Sequence, residues 1–132
     1  MSAVPEAYND LLTTKKAFAN LATLNADGTP QVTPVWFDWD GSRLRINTAK
    51  GRLKDKDLRR APAVALSIMD PDNPYRCVQV KGRVATVTES GADAHIDALS
   101  KKYLGQDSYP YRKRDEVGVI FTIAPDCVRT LG

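Results

Sequence analysis

The densest chemistry in this sequence lies where a polar strand end, Arg45-Ile46-Asn47-Thr48, meets the turn Ala49-Lys50-Gly51 and then the basic run Arg52-Leu53-Lys54. That order suits a phosphate. A helix N-terminus offers unpaired backbone N–H groups and a partial positive charge, and a guanidinium such as Arg52 matches phosphate oxygens in pairs. Lys54 adds a compact charge beside it. The same residues also read as an ordinary solvated helix, with Asp55 and Asp57 neutralising basic neighbours through surface pairs. Residue types alone leave both readings open.

Charge distribution sharpens the question. The chain carries only +3, yet Lys50, Arg52, Lys54, Lys56, Arg59 and Arg60 fall in one short stretch opposed only by Asp55 and Asp57. A compact anion is drawn to such a place, whereas a nucleic-acid binder spreads its cations and interleaves them with aromatics. Lys50 to Arg60 contains no aromatic residue, so no nucleic-acid partner is expected. His95 is the single histidine and has no cysteine or second histidine at ligand spacing, which predicts a structural or solvent-facing role and no metal site. Cys77 and Cys127 have no C-x-x-C spacing, and two such thiols fit a reducing, cytoplasmic setting. No apolar run approaches the roughly 18 residues of a membrane helix, and the opening residues lack the basic-then-apolar pattern of a signal peptide.

The elements that must position these residues follow from periodicity. At 132 residues, 42% of them hydrophobic and 27% charged, the chain predicts one domain over 1–132. Pro5 opens a short amphipathic helix with Val4, Tyr8, Leu11 and Leu12 on one stripe. A strand over 17–24, the turn Asn25 to Pro30 and a strand over 31–39 make a hairpin. Val35, Phe37 and Trp39 fall on one face of the second strand, and Val32, Pro34 and Trp36 on the other. A third strand covers 43–47, and the basic helix that Pro62 ends leads to a strand over 63–69. Its Val64, Leu66 and Ile68 alternate with the small Ala63, Ala65 and Ser67, a face another layer can approach closely. After a rigid loop, Asp70 to Pro74, a long strand runs over 76–88 with Gly82 marking a bulge or bend. Ser90 and Asp93 read as a capping box for a helix bearing Ala92, Ile96, Leu99 and Tyr103 up to Gly105. A strand over 117–123 and a shorter one over 127–130 close the chain. Six or seven antiparallel strands with two or three short helices make a mainly β (α+β) fold that curls into a barrel to avoid exposed edges.

The run from Ala17 to Ile68 resembles the core of the pyridoxamine 5'-phosphate oxidase-like split-barrel family, in particular its small members that use the deazaflavin coenzyme F420. The motifs that carry the likeness are Asp27-Gly28-x-Pro30-Gln31 and Arg52-x-Lys54-x-x-x-Leu58-Arg59-Arg60-x-Pro62. It continues through Asp70 to Val84 and weakens beyond Thr88. The resemblance implies a split β-barrel and a homodimer with a cofactor phosphate at the basic helix start and its ring along the second and third strands. Carried over by position, Arg52, Leu53 and Lys54 form the phosphate end, with Asn47 and Thr48 donating to the phosphate or the ribityl chain. Gln31, Thr33, Pro34 and Val35 line the ring, and Tyr75, Arg76 and Cys77 of a second subunit close the groove. The implied reaction is hydride transfer from reduced coenzyme F420 to a small unsaturated substrate. FMN chemistry, as in an oxidase or flavin reductase, and a non-catalytic cofactor carrier are the alternatives. Surplus cations at Lys56, Arg59 and Arg60 are expected to meet the polyglutamate tail of coenzyme F420. Such a cofactor carries the chemistry itself, so no catalytic side chain is expected; a substrate proton comes from solvent, with Tyr75 the alternative donor. Trp36, Phe37 and Trp39 are expected to pack in the core and a dimer interface, because Val35, Phe37 and Trp39 would otherwise leave an apolar patch in water.

Overall fold

The computed structural model describes residues 4–132; Met1–Ala3, part of the segment read as lacking a signal pattern, lie outside it. A 3-10 turn, Glu6–Tyr8, follows Pro5 and runs into α1 (Asn9–Thr13). There follow β1 (Ala19–Leu24), β2 (Pro30–Val35), β3 (Asp38–Trp39), β4 (Leu44–Ala49), α2 (Leu53–Arg60), β5 (Ala63–Asp70), β6 (Asn73–Thr88), α3 (Ala92–Leu104) and β7 (Gly118–Leu131). The strands make one seven-stranded sheet in the order β2-β1-β5-β6-β7-β4-β3, antiparallel throughout.

That order dictates the shape. β2 and β3 are successive in the chain yet lie on opposite edges of the sheet. The three Cα steps from Val35 to Asp38 reach about 11 Å at most, so the sheet must curl until its edges nearly meet. The result is the split barrel expected from sequence. Inside, Leu21, Leu44, Ile46, Ile68, Val78, Phe121 and Ile123 are fully buried, and Leu11 and Leu12 of α1 join the same core. The alternation in β5 behaves as read: Val64, Leu66 and Ile68 point inward, while Ala65 and Ser67 line an outer groove.

Four local expectations are corrected. The predicted strand over 31–39 breaks at Trp36-Phe37, because the chain there crosses from one sheet edge to the other. Trp36 turns to stack on Tyr103, with ring centroids 5.2 Å apart and planes 3° apart, while Phe37 is wholly buried. The capping box at Ser90 and Asp93 does not form: Gly91, at φ +78°, makes the sharp turn into α3, and no side chain caps it. The Ser90 N–H donates to Thr88 Oγ1 instead. The last two predicted strands are one continuous β7, whose register against β6 shifts at Lys81/Gly82, opposite Pro125, so the ladder absorbs the proline without ending. β6 begins at Asn73, earlier than expected, because Asp70 pairs with Asn73 and reduces the loop to a tight turn.

The bend at Gly82 is present, and no other residue type fits it: a Cβ there would sit 2.4 Å from the Ala124 carbonyl oxygen. No helix among the described residues is long and apolar enough to cross a membrane. No cluster of three or more His, Cys, Asp or Glu side chains is placed to hold a metal among them.

Candidate functional site

The end of β4 is held against the start of β7, with Ala49 opposite Gly118 and the Lys50 N–H donating to the Val117 carbonyl at 2.8 Å. Gly51, at φ +86°, then turns the chain into α2, whose N-cap is Arg52. Asp55, one turn into the helix, accepts the Gly51 N–H at 2.8 Å. This junction forms one wall of a cavity of about 140 Å³. Asn47, Thr48, Arg52 and Lys54 line that wall, α3 supplies Asp93 and Ile96, and the approach to β7 supplies Tyr109, Arg112, Glu116 and Gly118.

Most charges in the cavity are already paired. Arg52 donates through Nη2 to Glu116 Oε2. Arg112 bridges Asp93 at 3.1 Å and Asp97 at 2.5 Å. Lys54 is the exception: it is half-buried and has no partner among the described residues. Burial, then repulsion from Arg52, holds its ammonium below the usual lysine range. A part-buried cation without a counter-charge beside a guanidinium is an arrangement completed by an anion.

Asn47 is oriented from behind. Its Nδ2 donates to the Ala92 carbonyl at 2.9 Å and to His95 Nδ1 at 3.2 Å, while His95 Nε2 lies 3.2 Å from Asp38 Oδ1. Arg45 grips the same Asp38 with two bonds, at 3.0 and 2.6 Å. Burial works against the Asp38 charge, but the bonds from His95 and Arg45 win and hold its carboxyl below the usual range. His95 is thus a buried structural residue, as expected. Both Asn47 amide hydrogens are committed, so its free group is the carbonyl oxygen, near Gly118. The expectation that Asn47 donates to a ligand is corrected: it is placed to accept, as from a polyol hydroxyl.

Of the residues expected at the site, Asn47, Thr48, Arg52 and Lys54 converge. The others do not line this cavity within the chain. Leu53 points to solvent. Gln31, Thr33 and Val35 are half-buried on the inner face of the edge strand β2, and Pro34 is exposed on the outer face. Tyr75 is 84% exposed, and Cys77 is buried with Sγ 3.4 Å from Ser67 Oγ. Arg76 is a clamp within its own chain: it binds Asp10 at 2.6 Å, Asp70 at 2.9 Å and the Ala7 carbonyl, and its guanidinium lies over the Tyr8 ring. Two of the three cations expected to meet a polyglutamate tail are likewise occupied. Arg59 pairs with Asp55 at 2.7 Å, and Arg60 pairs with Asp57 at 2.8 Å and donates to the Leu24 carbonyl. The end of α2 is thus a paired surface helix, while Lys54 at its start has no partner among the described residues.

Tyr109, Arg112 and Glu116 carried no signal in the sequence, and Asp93 carried only that of a helix cap. They reach the cavity only through the packing of α3 and the β4–β7 register. A second cavity, of about 280 Å³, lies on the outer sheet face between Asn20, Ala22, Val32, Ala65, Gln79 and Arg129. Phe37 is buried in the core, and Val35 and Trp39 are partly buried against it; Val32, on the other face of β2, is among the exposed apolar side chains, at 63%.

A flavin-type phosphate fits the observed donors, since Lys54 lacks a counter-charge and Asn47 presents an acceptor to a polyol. Cavities that enclose whole small ligands usually run about 300–1,000 Å³. A 140 Å³ cavity has room for a head group but not for a tricyclic ring as well.

A sequence model described as pyridoxamine 5'-phosphate oxidase matches residues 4–132. No curated protein matches the chain. Among solved structures, an F420 reductase is 36% identical, with a TM-score of 0.83 over 96% of this chain and 98% of that one. Two others share the fold at lower identity. The conserved Mycobacterium tuberculosis protein Rv2991 is 22% identical, with a TM-score of 0.74 over 98% of this chain and 85% of that one. A Mycobacterium smegmatis protein that binds FAD and heme is 19% identical, with a TM-score of 0.71 over 98% and 71%.

Proposed function

Because this chain belongs to the pyridoxamine 5'-phosphate oxidase family, we propose that it is an oxidoreductase that docks the phosphate of coenzyme F420 at Arg52 and Lys54 and reduces a small unsaturated substrate. The observation that carries the reading is Lys54, a half-buried cation with no counter-charge among the described residues, beside the Arg52 guanidinium. Similarity to an F420 reductase favours the deazaflavin. Hydride chemistry is what that cofactor supplies when bound.

The chain's own share is binding and orientation. Arg52 and Lys54 hold the anionic head, and the Asn47 carbonyl accepts from a ribityl hydroxyl, fixed in direction by His95 and Ala92. Thr48 lines the same wall. Gln31, Thr33, Pro34 and Val35 remain the proposed ring contacts along β2. Lys56, exposed and without a partner among the described residues, is the remaining α2 cation for a carboxylate tail.

The ring lies outside the cavity, so a second copy of the chain is the cover we propose, contributing the segment Tyr75-Arg76-Cys77 with the exposed Tyr75 side chain reaching across while Arg76 and Cys77 hold their own chain. The outer groove with Val32 at 63% exposure is the face available for it. Free thiols at Cys77 and Cys127 suit a cytoplasmic protein. Sedimentation at micromolar concentration tests the dimer; a monomer under all conditions overturns it.

The second reading is an FMN enzyme or a cofactor carrier on the same fold, favoured by the fold likeness to an FAD-binding protein. Titration of purified protein with coenzyme F420 and with FMN, followed by ring fluorescence, separates the cofactors. Faster reoxidation of the bound reduced cofactor on adding quinones or enones separates a reductase from a carrier. Replacing both cations, Arg52→Ala with Lys54→Ala, should weaken cofactor binding by at least roughly a hundredfold, given about 1.5–3 kcal/mol for each of two charge-assisted bonds. An unchanged affinity in that double variant sinks the assignment.

A further inference from the structure

The cavity at β4 and α2 contains a charge of its own where a ligand's charge would go: Glu116 sits on Arg52. Its backbone cannot drift away, because the Glu116 N–H donates to the Lys113 carbonyl and the next residue's carbonyl accepts from Lys50. The remaining guanidinium in the cavity, Arg112, is satisfied by Asp93 and Asp97. Arg112 is thus shared by two carboxylates, and Lys54 is the one lining cation with no carboxylate on it among the described residues.

We propose that Glu116 is a specificity-determining residue that shifts the cavity's preference away from a phosphate monoester dianion and toward a phosphodiester monoanion. The inference rests on the phosphate-docking reading above. The physical reason is that the repulsion between Glu116 and an incoming anion scales with the anion's charge. A dianion meets it twice over, and a monoanion once. Glu116 thereby acts at the phosphate end, independently of any contact to the ring. The phosphate of coenzyme F420 is a diester, and that of FMN is a monoester.

The test compares wild type with Glu116→Gln in fluorescence titrations with FMN and with riboflavin cyclic phosphate, a monoanion carrying the same ring. Titrations at about pH 8 lie above the second ionisation of a phosphate monoester. Riboflavin, which has no phosphate, is the control. With a contact Coulomb energy of about 1 kcal/mol in water-like surroundings, Glu116→Gln should tighten the cyclic diester about fivefold and FMN about 25-fold. Glu116→Asp, which keeps the charge, should retain the wild-type preference, and unchanged thermal midpoints show that the variants fold. Equal improvement of both ligands, or none, overturns the role of Glu116 while leaving the docking site standing, provided Arg52→Ala still weakens FMN. If FMN and the cyclic diester bind wild type no better than riboflavin does, the docking site falls and this inference falls with it.

Discussion

Asn47 Nδ2 lies 3.2 Å from His95 Nδ1, and the same nitrogen donates to the Ala92 carbonyl at 2.9 Å. An amide nitrogen only donates, so His95 Nδ1 is the acceptor and the ring hydrogen is on Nε2, facing Asp38. One buried chain of polar groups thus joins β4, α3 and β3 behind the cavity. It aims the Asn47 carbonyl without touching a ligand.

Replacing His95 by alanine breaks this chain at its centre and leaves Asn47 and Asp38 short of a partner in a largely buried setting. The expected loss is about 1–3 kcal/mol of stability, the usual penalty for orphaned polar groups. Urea unfolding measures it. A midpoint equal to wild type would show that the chain does not support the fold.

Lys54→Met should stabilise the ligand-free protein while weakening phosphate binding. Burial and Arg52 disfavour the Lys54 charge in the folded state, so its folded pKa lies below the ordinary 10.5. For a lysine with a lowered pKa the penalty is full below the folded value and fades as pH rises toward 10.5. Screening by solvent keeps the neutral-pH gain near ~0.5 kcal/mol. Thermal melting of both proteins from neutral to alkaline pH should show the gap closing. A destabilised variant at neutral pH would contradict this account of Lys54.

Acid should unfold the protein through a few named carboxylates. A bond from Lys15 and the Asp72 N–H hold Asp70 far below the usual range, and the Arg76 bond lowers Asp10. Asp38 is lowered too, its bonds from His95 and Arg45 outweighing burial. Lowered carboxyl values mean that the stabilisation is present above 3.8 and is lost as pH falls through the folded values. Melting temperature should therefore drop steeply below about pH 4. Asp70→Asn should be less stable at neutral pH with a shallower acid limb; an identical limb would remove Asp70 from the explanation.

Gly82→Ala tests the bend in β6. The added Cβ would lie 2.4 Å from the Ala124 carbonyl oxygen, a backbone atom held in the β6–β7 ladder, so the strands must separate. Overpacking of this kind costs about 1–3 kcal/mol. Denaturant titration reads it directly, and a neutral result would show that the strands can part there without loss.

Much of the architecture was legible because it is local. Two-residue alternation marked β5 and the inward set Val35, Phe37 and Trp39, Pro5 and Pro62 marked helix boundaries, and Gly82 marked its bend. The cation pair Arg52 and Lys54 was likewise readable from a turn, a glycine and a basic run that lie next to one another in the chain. What lay beyond the sequence was every relationship between distant segments. Glu116 reaches Arg52, and Gly118 faces Ala49, only because β7 pairs with β4 in one particular register. Trp36 breaks a strand that alternation alone would continue, because the two halves of that strand belong to opposite edges of a curled sheet. Local preference sets which segments are strand or helix, but the charge left over in a pocket is a sum over residues that only folding brings into contact.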